Sequence, residues 1–228
     1  MDRGLYIAAS GMLAEQVRQD QIANDLANAT TAGYKADRTA QATFGQLLLN
    51  NSVTGAAVGS QSTAVQVTSV VTDFTPQPLK DTGEPLDFAI NGDGFFAVQT
   101  AAGTRYTRNG QFNADANGRL VTLTGDPVLG RNGRPLAVGA DGKVDPRALN
   151  VVNLRDPRKQ GDNLVAGTPA GQATGQARAG ALEGSGADPT QAMVDMIAST
   201  RAFESGQKVI QTIDETLGKA ATTVGSLN

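Results

Sequence analysis

From Met196 to Val224 the chain reads MIASTRAFESGQKVIQTIDETLGKAATTV. Met196, Phe203, Ile210, Leu217 and Val224 fall seven residues apart, and Ile213, Ala220 and Leu227 each follow a member of that row by three. Apolar side chains repeated in this way keep one seam of an α-helix turned toward a partner over about five heptads. Asp188 supplies a side-chain acceptor for the free N–H groups of a helix start, and Pro189 suits the first helical position, so the helix is predicted from about residue 190 within a terminal region 184–228. The seam decides the fold. An amphipathic helix of this length needs another helix along it, and a small β domain offers no groove long enough.

The other end of the chain carries a candidate partner. Between Arg3 and about Ala27, Leu5, Ala8, Met12, Ile22 and Leu26 recur at helical spacing, with Leu13 and Val17 widening the stripe. The turn-forming run Asn28 to Gly33 ends this helix, which gives a first region 1–35. Between the two helices the period changes. Asn91-Gly92, Asp93-Gly94, Asn109-Gly110, Asn117-Gly118, Asn132-Gly133 and Asp141-Gly142 suit the positive φ of tight hairpin turns and punctuate short β-type runs such as Phe95 to Gln99 and Arg119 to Thr124. Residues 81–183 are therefore read as a mainly antiparallel β domain, with 36–80 as an extended linker. In that linker Gln61 to Asp73 reads as extended and Asn50 to Ser60 as mobile. Gly161 to Gly180, with five Gly, reads as loop. The expected fold class is α+β: a β domain inserted between N- and C-terminal helices that form a coiled-coil-like stem. The seam can close within the chain as a helical hairpin, or extend to neighbouring copies.

Composition removes most chemistries. The 228 residues contain no Cys and no His, so there is no disulfide, no thiolate nucleophile and neither of the usual imidazole roles in proton transfer and metal ligation. With a formal charge of -3 and scattered Lys and Arg, no basic stripe exists for a nucleic-acid backbone. No apolar run approaches the ~20 residues that cross a bilayer, and Met1 to Leu13 lacks the pattern of a cleaved signal peptide. No cofactor, nucleic-acid partner or small-molecule substrate is expected.

Two constellations imitate sites. Asn113, Asp115, Asn117 and Gly118 resemble the opening of a calcium loop, but its twelfth position, which requires a bidentate Glu, is Thr124, so a plain Asn-Gly hairpin is expected. Asp87 and Asp93 could flank a glycosidic bond as a pair of carboxyls; lying among turn residues, both are expected to stay solvated, which argues against the raised acid such chemistry needs.

Four segments carry a family resemblance: Ile22 to Lys35, Thr82 to Phe96, Tyr106 to Phe112, and Leu182 to Ser185 running into Ala192 to Ile197 and Arg201 to Glu204. In this order they resemble flagellar rod and hook proteins over almost the whole chain. Two positions depart from the family pattern, Asp25 and Gly186, both at helix ends where short polar residues and Gly serve alike. The resemblance implies a structural, non-enzymatic subunit of the bacterial flagellar basal-body rod, the drive shaft of motility. Such a subunit self-assembles helically through its terminal helices, in contact with other copies and with neighbouring rod and hook subunits. It also implies a periplasmic location reached unfolded through the type III export apparatus. Hook proteins are usually much longer, so a short hook-type subunit is the alternative, and a rod-associated cell-wall hydrolase a remote one. Leu182 to Ser185 and the residues after Met193 are similar to the proximal-rod member, while Gly4 to Met12 is equally similar to the distal-rod member. On the stem, Leu5, Met12, Ile22, Leu26, Met196, Phe203, Ile210, Ile213, Leu217 and Val224 are the expected assembly residues. By the same resemblance Phe44 and Leu48, four apart and just past the first helix, form a motif read by the export gate; the other reading of that spacing is a short buried helical turn.

Overall fold

The computed structural model describes residues 2–50 and 57–225; the side chains of 2–3, 41–50, 57–69 and 224–225 lie outside the description. N- and C-terminal helices flank an antiparallel β-rich region, which makes the fold α+β. The chain divides into two compact units, and each has its own logic.

The first unit contains helix α1 (Asp2–Ala27) up to Leu26, strands β1 (Asp37–Asn50) and β2 (Ala57–Thr72), and helix α2 (Pro189–Gly225). α2 begins on Pro189, directly after Asp188, where the start signals placed it. Its outer face tolerates four threonines because Thr200, Thr212, Thr216 and Thr222 each turn the hydroxyl back onto the carbonyl four residues earlier, so none competes for the helix's own N–H groups. β1 and β2 pair in a two-stranded sheet across much of the segment read as a linker. Residues 57–60, expected to be mobile, begin β2, and 51–56 lie outside the described residues.

The second unit holds residues 27–36 and 72–188. Its strands are β3 (Leu79–Asp81), β4 (Phe88–Asn91), β5 (Phe95–Thr100), β6 (Gly103–Thr107), β7 (Phe112–Ala114), β8 (Leu120–Thr122), β9 (Val151–Lys159), β10 (Leu164–Gln172), β11 (Gln176–Ala179) and β12 (Ala181–Glu183). β5, β6, β9 and β10 close a ring in the order β10–β6–β5–β9, while β11 pairs with β4, β12 with β3 and β7 with β8, all antiparallel. Phe88, Ile90, Phe96, Phe112, Leu120 and Val128 lead the main core, and Phe96 and Phe112 meet edge to face at 5.4 Å.

Two sequence expectations change here. The Gly-rich run 161–180 is not loop: it contributes all of β10 and all of β11. β10 breaks register against β9 between Ala166 and Thr168 and again between Pro169 and Gln172, so Gly167 and Gly171 fall at bulges that interrupt the two-residue period and hide the strand. Among the turn dipeptides, Asn117-Gly118 does join the β7–β8 hairpin, with Gly118 at φ 71°. Gly110 does not adopt a positive φ. It is required for another reason: its carbonyl accepts the Phe88 N–H at 2.9 Å, and a Cβ there would run into the Phe88 carbonyl.

Candidate assembly interface

Within the first unit α1 and α2 run antiparallel along one another. Three pairs give the direction, because the numbers fall on one helix as they rise on the other: Gly4 with Ile213, Met12 with Gly206, and Glu15 with Ser199. Cβ atoms added at Gly4 and Gly206 would lie 3.3 Å from Ile213 Cδ1 and 2.8 Å from Met12 Cγ, so each glycine is the recess that receives a long side chain of the other helix. One turn beyond the Met12–Gly206 recess the hydroxyl of Ser199, 1% exposed, donates to the Glu15 carboxylate at 2.6 Å. A short charge-assisted bond in an apolar seam fixes register, since a slipped helix would leave both groups unpaired.

On α2 the covered positions are Ala192, Met196, Ser199, Phe203, Gly206, Ile210, Ile213 and Leu217, spaced alternately by four and three. The predicted row is thus half of the seam. The other half contains Ala192, Ser199 and Gly206, too small or too polar for a hydrophobicity count to register; the four-three spacing from Met196 and Ile213 was the signal that would have found them. Of the expected assembly residues on α1, Ile22 is buried, and Leu5, Met12 and Leu26 are half-buried. Val224 lies where side chains are outside the description. The expected residues whose side chains are described all line the covered faces of the two helices, and Met12 and Ile213 visibly cross between them.

Leu13 and Val17 do not widen that stripe. At about 100° per residue they stand roughly half a turn from Glu15 and Ile22, and with Tyr6 they form a second apolar face, exposed 64% at Tyr6, 64% at Leu13 and 43% at Val17. α2 has a counterpart, since Val194 and Ile197, 56% and 55% exposed, sit about half a turn from its seam. Each helix therefore carries two apolar faces, one covered within the chain and one bare.

The other sequence candidates separate. Phe44 and Leu48 have their backbone in β1, so the short helical turn is replaced by a strand; their side chains lie outside the description. Asp115 turns its carboxylate onto the N–H groups of Asn117 and Arg119, each at 2.8 Å, and onto the Arg119 guanidinium at 2.7 Å. Those bonds hold its carboxyl below the ordinary 3.8. Asp87 is buried, against the expectation that it is solvated, while Asp93 is exposed. Asp87 forms an antiparallel bridge with Gln111, and its carbonyl takes the Gly180 N–H, so it is a fold residue at the edge of β4.

Comparison with known proteins gives three family matches in chain order. Residues 5–35 match the model described as "Flagella basal body rod protein", residues 89–151 the "Flagellar hook protein FlgE/F/G D1 domain", and residues 178–223 the "Flagellar basal body rod FlgEFG protein C-terminal". Whole-chain similarity agrees. The chain is 34% identical to the flagellar basal-body rod protein FlgF of Caulobacter vibrioides, with 100% of both chains aligned. It is 33% identical to the flagellar basal-body rod protein FlgG of Bacillus subtilis, over 95% of this chain and 97% of the relative. To the flagellar hook-basal body complex protein FlhO of Bacillus subtilis it is 31% identical, over 100% of both. With paired terminal helices, a β region inserted between them in the chain and similarity running from end to end, the chain belongs to the flagellar basal-body rod protein family.

Proposed function

We propose that this chain is a structural subunit of the flagellar basal-body rod, and that its α1–α2 stem packs against other copies and against neighbouring rod and hook subunits. The observation that carries this is the bare apolar face of α1, formed by Tyr6, Leu13 and Val17 on the side away from the covered seam. Large side chains left in water on a helix whose opposite side is already covered are explained by a neighbour that covers them. The seam residues Leu5, Met12, Ile22, Leu26, Met196, Phe203, Ile210, Ile213 and Leu217 serve assembly by building the helix pair, and the outer faces make the contacts between subunits. Full-length alignment with FlgF supports a rod subunit over a longer hook-type chain. In this reading the protein sits in the periplasmic rod, performs no catalysis and needs no cofactor; incubation with purified cell-wall glycan releases no fragments.

Leu13→Asp tests the reading. It places a carboxylate on the bare face, so the isolated chain keeps its helix content and melting temperature, while incorporation into basal bodies and motility are lost. Gln16→Asp, one turn along and off the stripe, swims normally. A Leu13→Asp strain that assembles as well as this control removes the outer face as the assembly surface. Delivery is a separate step. The Phe44 and Leu48 motif is read by the type III export gate while the chain is unfolded, so Phe44→Ala with Leu48→Ala lowers the amount delivered to the periplasm and leaves the second unit folded. Undiminished delivery excludes that role.

A further inference from the structure

Three distant segments of the second unit end on one buried carboxylate. Glu183, with a fully covered side chain, accepts from Lys35 Nζ at 2.6 Å, from Arg108 Nη1 at 3.1 Å and from the Gln77 backbone N–H at 2.9 Å. Lys35 donates again to the Thr75 carbonyl at 2.7 Å, and Arg108 Nη2 to the Gly92 carbonyl at 2.9 Å, while Arg108 Nε has no hydrogen-bond partner among the described residues. The main chain closes over the same place: the Gly33 N–H reaches the Glu183 carbonyl at 3.0 Å, the Gly186 N–H the Tyr34 carbonyl at 2.8 Å, and the Ser185 hydroxyl the Asn28 carbonyl at 2.9 Å. The two segments that continue into α1 and α2 are thereby held side by side. Two cations, 4% and 2% exposed, share one carboxylate. Taking a cation out of water is unfavourable unless its counter-charge is there to meet it. That counter-charge arrives late, 148 residues after Lys35 and 75 after Arg108.

We propose that Glu183 is the positioning residue that closes the second unit: until the 183–186 segment docks, Lys35 and Arg108 cannot be buried together, and residues 28–36 stay off the β strands. Folding of this unit is then conditional on its last segment, whatever the chain later assembles into. An N-terminal portion that emerges first stays open, and the root of α1 is fixed only when the root of α2 is in place.

Hydrogen exchange on the full-length chain tests this, comparing the Gly33 and Gly186 amides with the core amides of Leu120 and Val128. Glu183→Gln keeps the size and one acceptor but removes the charge. Gly33 and Gly186 then exchange roughly tenfold faster or more relative to the core. A charge-driven closure makes a further demand that plain packing does not. Adding Lys35→Met to Glu183→Gln removes an orphaned cation, so the double variant is better protected than Glu183→Gln alone, although Lys35→Met by itself weakens protection. If Glu183→Gln unfolds the whole chain, the double variant still recovers protection. Unchanged protection in Glu183→Gln, or a double variant that exchanges as fast as Glu183→Gln or faster, overturns the proposal.

Discussion

Single residues in the second unit act through what the main chain leaves no room for. Gly33 sits at φ 65°, and a Cβ there would also meet the main chain of Arg108; Gly110 does not take a positive φ but is pressed against Phe88. Gly110→Ala therefore has no side chain to push aside and must separate backbone from backbone, which is expected to lower stability by about 3 kcal/mol in denaturant unfolding. Lys35 gives a second test at this scale. Burial holds its ammonium below the ordinary 10.5, against the pull of Glu183. Its folded value lies below its unfolded one, so near 10.5 the unfolded chain binds more protons. The stability it contributes is present above the unfolded value and lost as pH falls through the folded one. Tyr106 runs the other way: burial raises its phenol above 10.0, so its contribution is present below that pH and lost above the folded value. The informative window therefore lies just under pH 10. There the wild type gains stability with rising pH relative to Lys35→Met; parallel pH profiles for the two proteins would show that the buried ammonium is not under strain.

At the scale of the elements, helix pairing is specified by recesses and one polar bond more than by bulk hydrophobicity. Ser199→Ala removes the donor to Glu15 and leaves a half-buried carboxylate with one partner fewer, a loss of about 1–2 kcal/mol. Gly206→Leu fills the recess occupied by Met12 and forces the helices apart there, with a loss of about 2 kcal/mol or more despite better helix propensity at that position. Both changes are read by following helix content during thermal unfolding of the full chain. Retained melting in Gly206→Leu would mean that Met12 simply repacks and that the recess does not set register.

At the scale of the whole molecule the two faces of the stem separate stability from assembly. Ile210 lies on the covered seam, so Ile210→Asp buries an unpaired charge in every isolated chain, lowers its helical melting by several kcal/mol equivalents and blocks incorporation as a consequence. Leu13→Asp blocks incorporation with the melting curve untouched. Thermal melting and basal-body recovery, measured together on both variants, give one row of two losses and one row of a single loss. If both variants melt like the wild type, the seam contributes nothing to the isolated stem.

Sequence by itself determined the class of the protein. Heptad spacing needs only one helix to be visible, so Met196, Phe203, Ile210, Ile213 and Leu217 announced α2, and Asp188-Pro189 announced its start. The segments carrying the family resemblance, which run from Ile22 to Glu204, contain the very residues, Lys35, Arg108 and Glu183, that meet in the buried ion cluster. Their meeting was not legible, because a pair 148 residues apart leaves no local period. Tertiary structure alone decided three things. It assigned Leu13 and Val17 to the bare side of α1, since which side is covered depends on where the partner helix lies. It placed Ala192, Ser199 and Gly206 in the seam, where Gly206 leaves room for Met12 and Ser199 donates to Glu15. It made strands of a glycine-rich run, because β9 and β4 supply the hydrogen bonds that β10 and β11 need, and bulges absorb the glycines that break the two-residue alternation.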